Sequence, residues 1–116
     1  MLLGNVLIKF VDVGGRFVEV ENTGNQTRDL TGWSIERTVD GRRLNYRFPD
    51  FRLDSHRSVR VYGSRQKPSS SFGMEDSHSQ LIATSFPHWG IGRQMRTELF
   101  NREHHAKALF EQAIKD

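Results

Sequence analysis

The chain has 116 residues, of which 35% are hydrophobic and 27% charged, enough for one domain with a buried core and too apolar for a disordered chain. Its 17 basic against 14 acidic side chains leave a net charge of +3, too small an excess to mark a dedicated nucleic-acid binder. Cysteine is absent, which excludes disulfides and thiolate metal sites and favours a reducing compartment.

In chain order, the opening MLLGNVLIKF is apolar but has no basic leader or cleavage-like site, so it reads as a first strand. Val6, Ile8 and Phe10 share one parity and are expected to face inward. Gly14-Gly15 then supplies positive φ angles for a tight turn. RFVEVEN alternates again, with Val18 and Val20 inward against Glu19 and Glu21. NTGNQTRDLTG consists of turn formers and is expected to be a loop.

WSIER places Trp33 and Ile35 on one side and Ser34 and Glu36 on the other. Asp40-Gly41 is a hairpin signal. On the return, Leu44, Tyr46 and Phe48 point one way while Arg43, Asn45 and Arg47 point the other, as on a sheet with one solvated face. Pro49 cannot donate to a ladder and should end the strand. SVRVYG is a further strand with Val59 and Val61 inward. A long loop over 63–79 follows, rich in turn formers, with Ser69, Ser70 and Ser71 open to phosphorylation.

QLIATSF reads as another strand, PHWGIG as a turn around Trp89, and RQMRTELFN as a strand alternating Met95, Thr97 and Leu99. The closing HAKALFEQAIKD allows two structures. Ala106, Leu109, Phe110, Ala113 and Ile114 form a helical stripe, whereas a strand over 106–110 would point Ala106, Ala108 and Phe110 inward. No apolar run approaches the roughly 20 residues of a membrane helix, and the last residues, AIKD, form no prenylation box. Membrane insertion is therefore not expected. Short strands between Gly, Asn, Asp and Pro turns indicate one all-β sandwich or barrel.

No catalytic constellation emerges. His104 and His105 are adjacent and diverge on a strand or a helix alike, and no HxH or HExxH spacing occurs. Metal sites and cofactors are not expected. EDSHS has no glycine-framed nucleophile turn, GIG lacks the third glycine of a phosphate loop, and the carboxylates are scattered singly. The chain reads as a non-enzyme. Basic residues remain to be placed: Arg37, Arg42, Arg43 and Arg47, then Arg52, Arg57, Arg60, Arg65 and Lys67. If the two stretches pair, Arg43, Arg47 and Arg60 form one positive stripe able to contact phosphates without reading sequence.

Four segments, GGRFVEVENTGNQTRDLTGW, LNYRFPDFRL, SVRVYG and HWGIGRQMRTELFN, together resemble the lamin tail domain. This is the immunoglobulin-like domain that follows the coiled-coil rod in nuclear lamins and in invertebrate cytoplasmic intermediate filament proteins. The resemblance implies an immunoglobulin-like β-sandwich over about 4–110, with 106–110 as closing strand and a tail over 111–116. It also implies structural roles for Trp33, Arg47, Trp89 and Arg96, although the REHHA turn offers Arg96 no evident acidic partner. The implied function is a structural tail that mediates filament lateral or partner-protein contacts in the cytoplasm. Its partners would be other filament chains, through a rod outside these residues, and cytoskeletal or nuclear-envelope proteins. A nuclear version contacting chromatin through a basic face is one alternative, and an accessory domain of a hydrolase another. With charged strand faces and no heptads, the isolated chain is expected to be monomeric at micromolar concentration.

Overall fold

The computed structural model describes residues 5–66 and 78–113. The strands are β1 (Val6–Val11), β2 (Phe17–Asn22), β3 (Arg28–Asp29), β4 (Ser34–Val39), β5 (Arg42–Arg47), β6 (Arg52–Leu53), β7 (Ser58–Gly63), β8 (His78–Ala83), β9 (Gln94–Phe100) and β10 (Ala106–Ala113). Among the described residues there is no α-helix, only a 3-10 turn at Ser64–Gln66. One sheet has the order β1-β2-β7-β8, the second β10-β9-β4-β5, and β3 and β6 form a small ribbon. The fold is the immunoglobulin-like β-sandwich expected.

Alternation builds both inner faces. Val18 and Val20 on β2 pair with Val61 and Val59 on β7. Ile35 on β4 lies between Tyr46 on β5 and Leu99 on β9. All belong to one core that also contains Leu30, Trp33, Phe48, Leu53, Phe86 and Trp89. The β4–β5 hairpin turns at Asp40 and Gly41, with φ of 47° and 88°, the paired left-handed angles of a tight two-residue turn. The strand before Pro49 ends at Arg47.

Four expectations change. Phe10 is 44% exposed and Val11 fully buried, because the β1–β2 register shifts between Ile8 and Phe10 and a bulge reverses the parity after it. Of the two turn glycines only Gly15 has positive φ, at 73°; an added Cβ there would lie 3.0 Å from the Gly90 carbonyl oxygen. The segment NTGNQTRDLTG is not all loop, since Arg28 and Asp29 pair with Leu53 and Arg52. Finally, the last strand runs on to Ala113, so 111–113 belong to the sheet. Its inward residues are Ala108, Phe110 and Gln112, whereas Ala106 is exposed.

β8 lies parallel to β7. Parallel neighbours cannot be joined by a hairpin, and β7 and β8 are accordingly separated in the sequence by residues 64–77. Most of the expected 63–79 loop, its three serines and residues 114–116 lie outside the described residues.

Trp33 is 7% exposed within the core. Trp33→Ala is expected to lower stability by about 3–5 kcal/mol, a large part of the roughly 5–15 kcal/mol of a typical domain. Denaturant unfolding measures this, and a midpoint close to that of the parent would remove Trp33 from the core.

Candidate functional site

The apolar core of the sandwich encloses one charged side chain, Arg37. β4 buries alternate residues, so Ile35, Arg37 and Val39 face inward together. Arg37 is 0% exposed. Its Nε donates to the Trp89 carbonyl at 2.8 Å and its Nη2 to the Gly90 carbonyl at 3.1 Å. Nη1 donates to Thr97 Oγ1 at 2.8 Å and to Gln112 Oε1 at 3.4 Å. The Met95 sulfur accepts from Nη2 at 3.2 Å. Burial pulls the guanidinium pKa below its usual value, yet arginine stays protonated at any ordinary pH. The group is therefore a buried cation held by neutral acceptors.

Trp89 carries the link to the other sheet. Its indole Nε1 donates to the Val61 carbonyl of β7 at 2.8 Å, and its backbone N–H to Gly15 in the β1–β2 turn at 2.8 Å. Gln112, having accepted from Arg37, donates to the Val11 carbonyl at 3.2 Å. One guanidinium thus fixes the 89–90 turn, β9 and β10 relative to both sheets.

The outer face of the first sheet is partly closed by its own side chains. Glu19 points away from the core but is only 5% exposed. It accepts from Ser58 Oγ at 2.7 Å and Arg60 Nε at 3.0 Å. Burial opposes the charged form of Glu19. The hydrogen bonds from Ser58 and Arg60, with the charges of Arg60 and Lys9, outweigh it and hold the carboxyl below its ordinary value. The Arg60 guanidinium also lies 4.2 Å from the centroid of the Phe17 ring, which packs on Tyr62 at 5.3 Å and Phe10 at 6.0 Å.

The second sheet presents an open groove of about 740 Å³ on its outer face, lined in part by Glu36, Arg43, Arg96, Glu98 and Glu111. Glu36 and Glu98 stand opposite each other across β4 and β9. Arg96 lies 3.4 Å from Glu98. His104, stacked on Phe100 at 4.3 Å, lies 3.9 Å from Glu36. Among the described residues, no group of three His, Asp or Glu side chains is placed to hold a metal ion.

These positions rearrange the arginines singled out in the sequence. Arg43 and Arg47 are on β5 of the second sheet and Arg60 on β7 of the first. The two stretches do not pair, so no common stripe forms, and Arg60 is committed to Glu19. Arg47 and Arg96, to which the resemblance gave structural roles, both lie exposed on the second sheet. The carboxylate near Arg96 is Glu98 of its own strand, not a group in the following turn. The arginine that spans the layers is Arg37. Extending the Trp33–Ile35 alternation by one step would have found it.

Comparison with known proteins gives one consistent result. The family model of the Lamin Tail Domain matches residues 3–112. A muscle cell intermediate filament protein of Onchocerca volvulus is 32% identical over 90% of this chain and 24% of its own length. Intermediate filament protein A of Ascaris suum is 33% identical over 90% of this chain and 21% of its own length. Human lamin-B2 is 29% identical over 86% of this chain and 16% of its own length. The chain spans about a quarter or less of these curated relatives.

Arg37→Ala is expected to cost at least about 3 kcal/mol, since it opens a cavity and strands the Trp89 and Gly90 carbonyls. Arg37→Met, which restores volume but no donors, should recover part of the loss. Equal stability of either variant with the parent in chemical denaturation would contradict the clamp. Glu19 makes a separate contribution. Its folded pKa lies below its unfolded one, so its stabilisation is complete above the unfolded value of about 4.5 and is lost as pH falls through the folded value. Glu19→Gln should therefore reduce stability at neutral pH and flatten the acid limb of a stability–pH curve.

Proposed function

The chain belongs to the lamin tail domain family, and on that premise we propose that it is the non-enzymatic tail domain of an intermediate filament protein. It mediates lateral or partner-protein contacts of the filament, in the cytoplasm. The observation that carries this reading is the pattern of coverage. Relatives named as intermediate filament proteins match nearly the whole of this chain, while the chain accounts for about a quarter or less of each. A unit of that kind supplies surface to a larger assembly. Its interior is occupied by the Arg37 clamp, so contacts fall to the outer faces and the strand edges.

The likeness to human lamin-B2 favours a second reading, a nuclear tail with a basic face toward chromatin. The face available for it is the outer side of β5, where Arg43 and Arg47 are exposed.

Deleting residues 1–116 from the filament protein should leave its coiled-coil dimers intact while changing filament bundling or spacing, seen by electron microscopy. Loss of the dimers would place assembly in this domain instead. For the nuclear reading, duplex DNA affinity should drop steeply between low and physiological salt, and Arg43→Gln with Arg47→Gln should flatten that slope. Absence of binding at low salt would remove it.

A further inference from the structure

Where β4, β5 and the β9–β10 turn meet, the outer side of the second sheet holds a smaller cavity of about 220 Å³. β4 supplies Ser34, β5 supplies Asn45 and Arg47, and the turn supplies Asn101, Arg102 and His104. The register gathers them: Ser34 pairs with Arg47 on one side and with Phe100, the last residue of β9, on the other. Among the described residues no carboxylate lines this cavity. Glu36 stands at its border, 3.9 Å from His104 Nε2, and lines the neighbouring groove.

The donors are positioned but largely unspent. Asn101 Oδ1 accepts from the backbone N–H of Glu103 at 3.0 Å and of His105 at 2.9 Å, so the side chain has its amide N–H groups left to offer. Arg102 uses only Nε among the described residues, on the Thr31 carbonyl at 3.3 Å. Its stem lies over Gly32, where an added Cβ would come within 3.3 Å of Arg102 Cγ. Arg47 makes no hydrogen bond or ion pair with any described residue. His104 is held by its stack on Phe100. Like charges lining one concavity are stabilised by an anion placed between them.

We propose that this cavity binds a phosphomonoester carried on a serine or threonine of a partner protein. Chemistry selects the group: it brings nearly two negative charges and three acceptor oxygens, which suit two guanidinium forks with amide and hydroxyl donors beside them. Size limits it. At about 220 Å³ the cavity is smaller than the roughly 300–1,000 Å³ of small-molecule sites, so it takes the phosphate and not a nucleoside or sugar behind it. The neighbouring groove selects the carrier. There Glu36, Asp40, Glu98 and Glu111 outnumber Arg43 and Arg96, so a chain extending from the phosphate is favoured when it is basic. A nucleic acid would instead bring its next phosphates against the Glu36–Glu98 pair. The inference deepens the filament-contact reading by naming the partner's chemistry, and rests on it for its setting.

Titration calorimetry on this chain tests it with a lysine-flanked phosphoserine peptide, the unphosphorylated twin and inorganic phosphate. The phosphopeptide should bind at least about tenfold more tightly than either of the others, with NMR amide shifts at Arg47, Arg102 and His104. Arg47→Gln with Arg102→Gln should abolish that preference without lowering the melting temperature, because both side chains are exposed. Arg43→Gln should preserve it. Equal affinity for the twin peptides, or a double variant that keeps the preference, would overturn the site. So would inorganic phosphate binding as tightly as the peptide, which would leave only a free-anion site. Duplex DNA binding more tightly than the phosphopeptide through Arg47 and Arg102 would also overturn it and give the cavity to nucleic acid. The filament-contact reading is decided separately by the deletion, so the two can fail independently.

Discussion

A cation at the centre of an apolar sandwich sets the terms for everything around it. Taking the Arg37 guanidinium out of water is costly, and among its hydrogen-bond partners there is no carboxylate to offset that cost. The structure offsets it with dipoles: its five N–H groups meet two carbonyls, a threonine hydroxyl, a glutamine oxygen and a methionine sulfur. Each acceptor must be held in place by something else. The Trp89 turn is pinned to Val61 and Gly15, and Gln112 to Val11. The clamp is therefore cooperative, and the two sheets, the 89–90 turn and the closing strand depend on one geometry. Tertiary packing around this group also explains why the last strand remains a strand. Gln112 reaches Arg37 only if β10 stays extended as far as Ala113.

Charge is handled differently outside. On the first sheet Glu19, Ser58, Arg60 and Phe17 form a compact layer in which each charge has its counterpart. On the second sheet Glu36 and Glu98 face each other directly across the ladder, a like-charge arrangement that sheets usually avoid, with Arg96 and His104 at their flanks. The first face is largely satisfied internally; the second keeps an open groove and exposed arginines. For a domain proposed to work by contact with other surfaces, this asymmetry matters more than net charge. A chain only slightly basic overall still presents faces of distinct character.

The family follows from the match of the Lamin Tail Domain model over residues 3–112, and the proposed division of labour from scale. A domain of this size, matching about a quarter or less of its filament relatives, has its interior taken up by the clamp and core. On the proposed reading, what it offers an assembly is placed on the outside, on faces that tolerate water.

The all-β class, the family resemblance and most of the inward set are legible in the chain before it folds. Period two is a local property, and Val18, Val20, Ile35, Tyr46, Val59, Val61 and Leu99 declare their face within a few residues. Asp40-Gly41 and Pro49 likewise act on the backbone beside them. Tertiary structure alone decided which charges are inside and which strands are neighbours. Arg37 shares the parity of Ile35, but only acceptors far along the chain, on residues 89, 90, 95, 97 and 112, make its burial possible. The helical stripe near the C-terminus gave way because β9 provided a ladder for β10, and the bulge in β1 reversed Phe10 and Val11 against their local alternation. Arg43 and Arg60 look like one stripe until β5 and β7 are assigned to different sheets. Pairing and desolvation are non-local, so residues that read alike in the chain separate into clamp, ion pair and open surface only once it is folded.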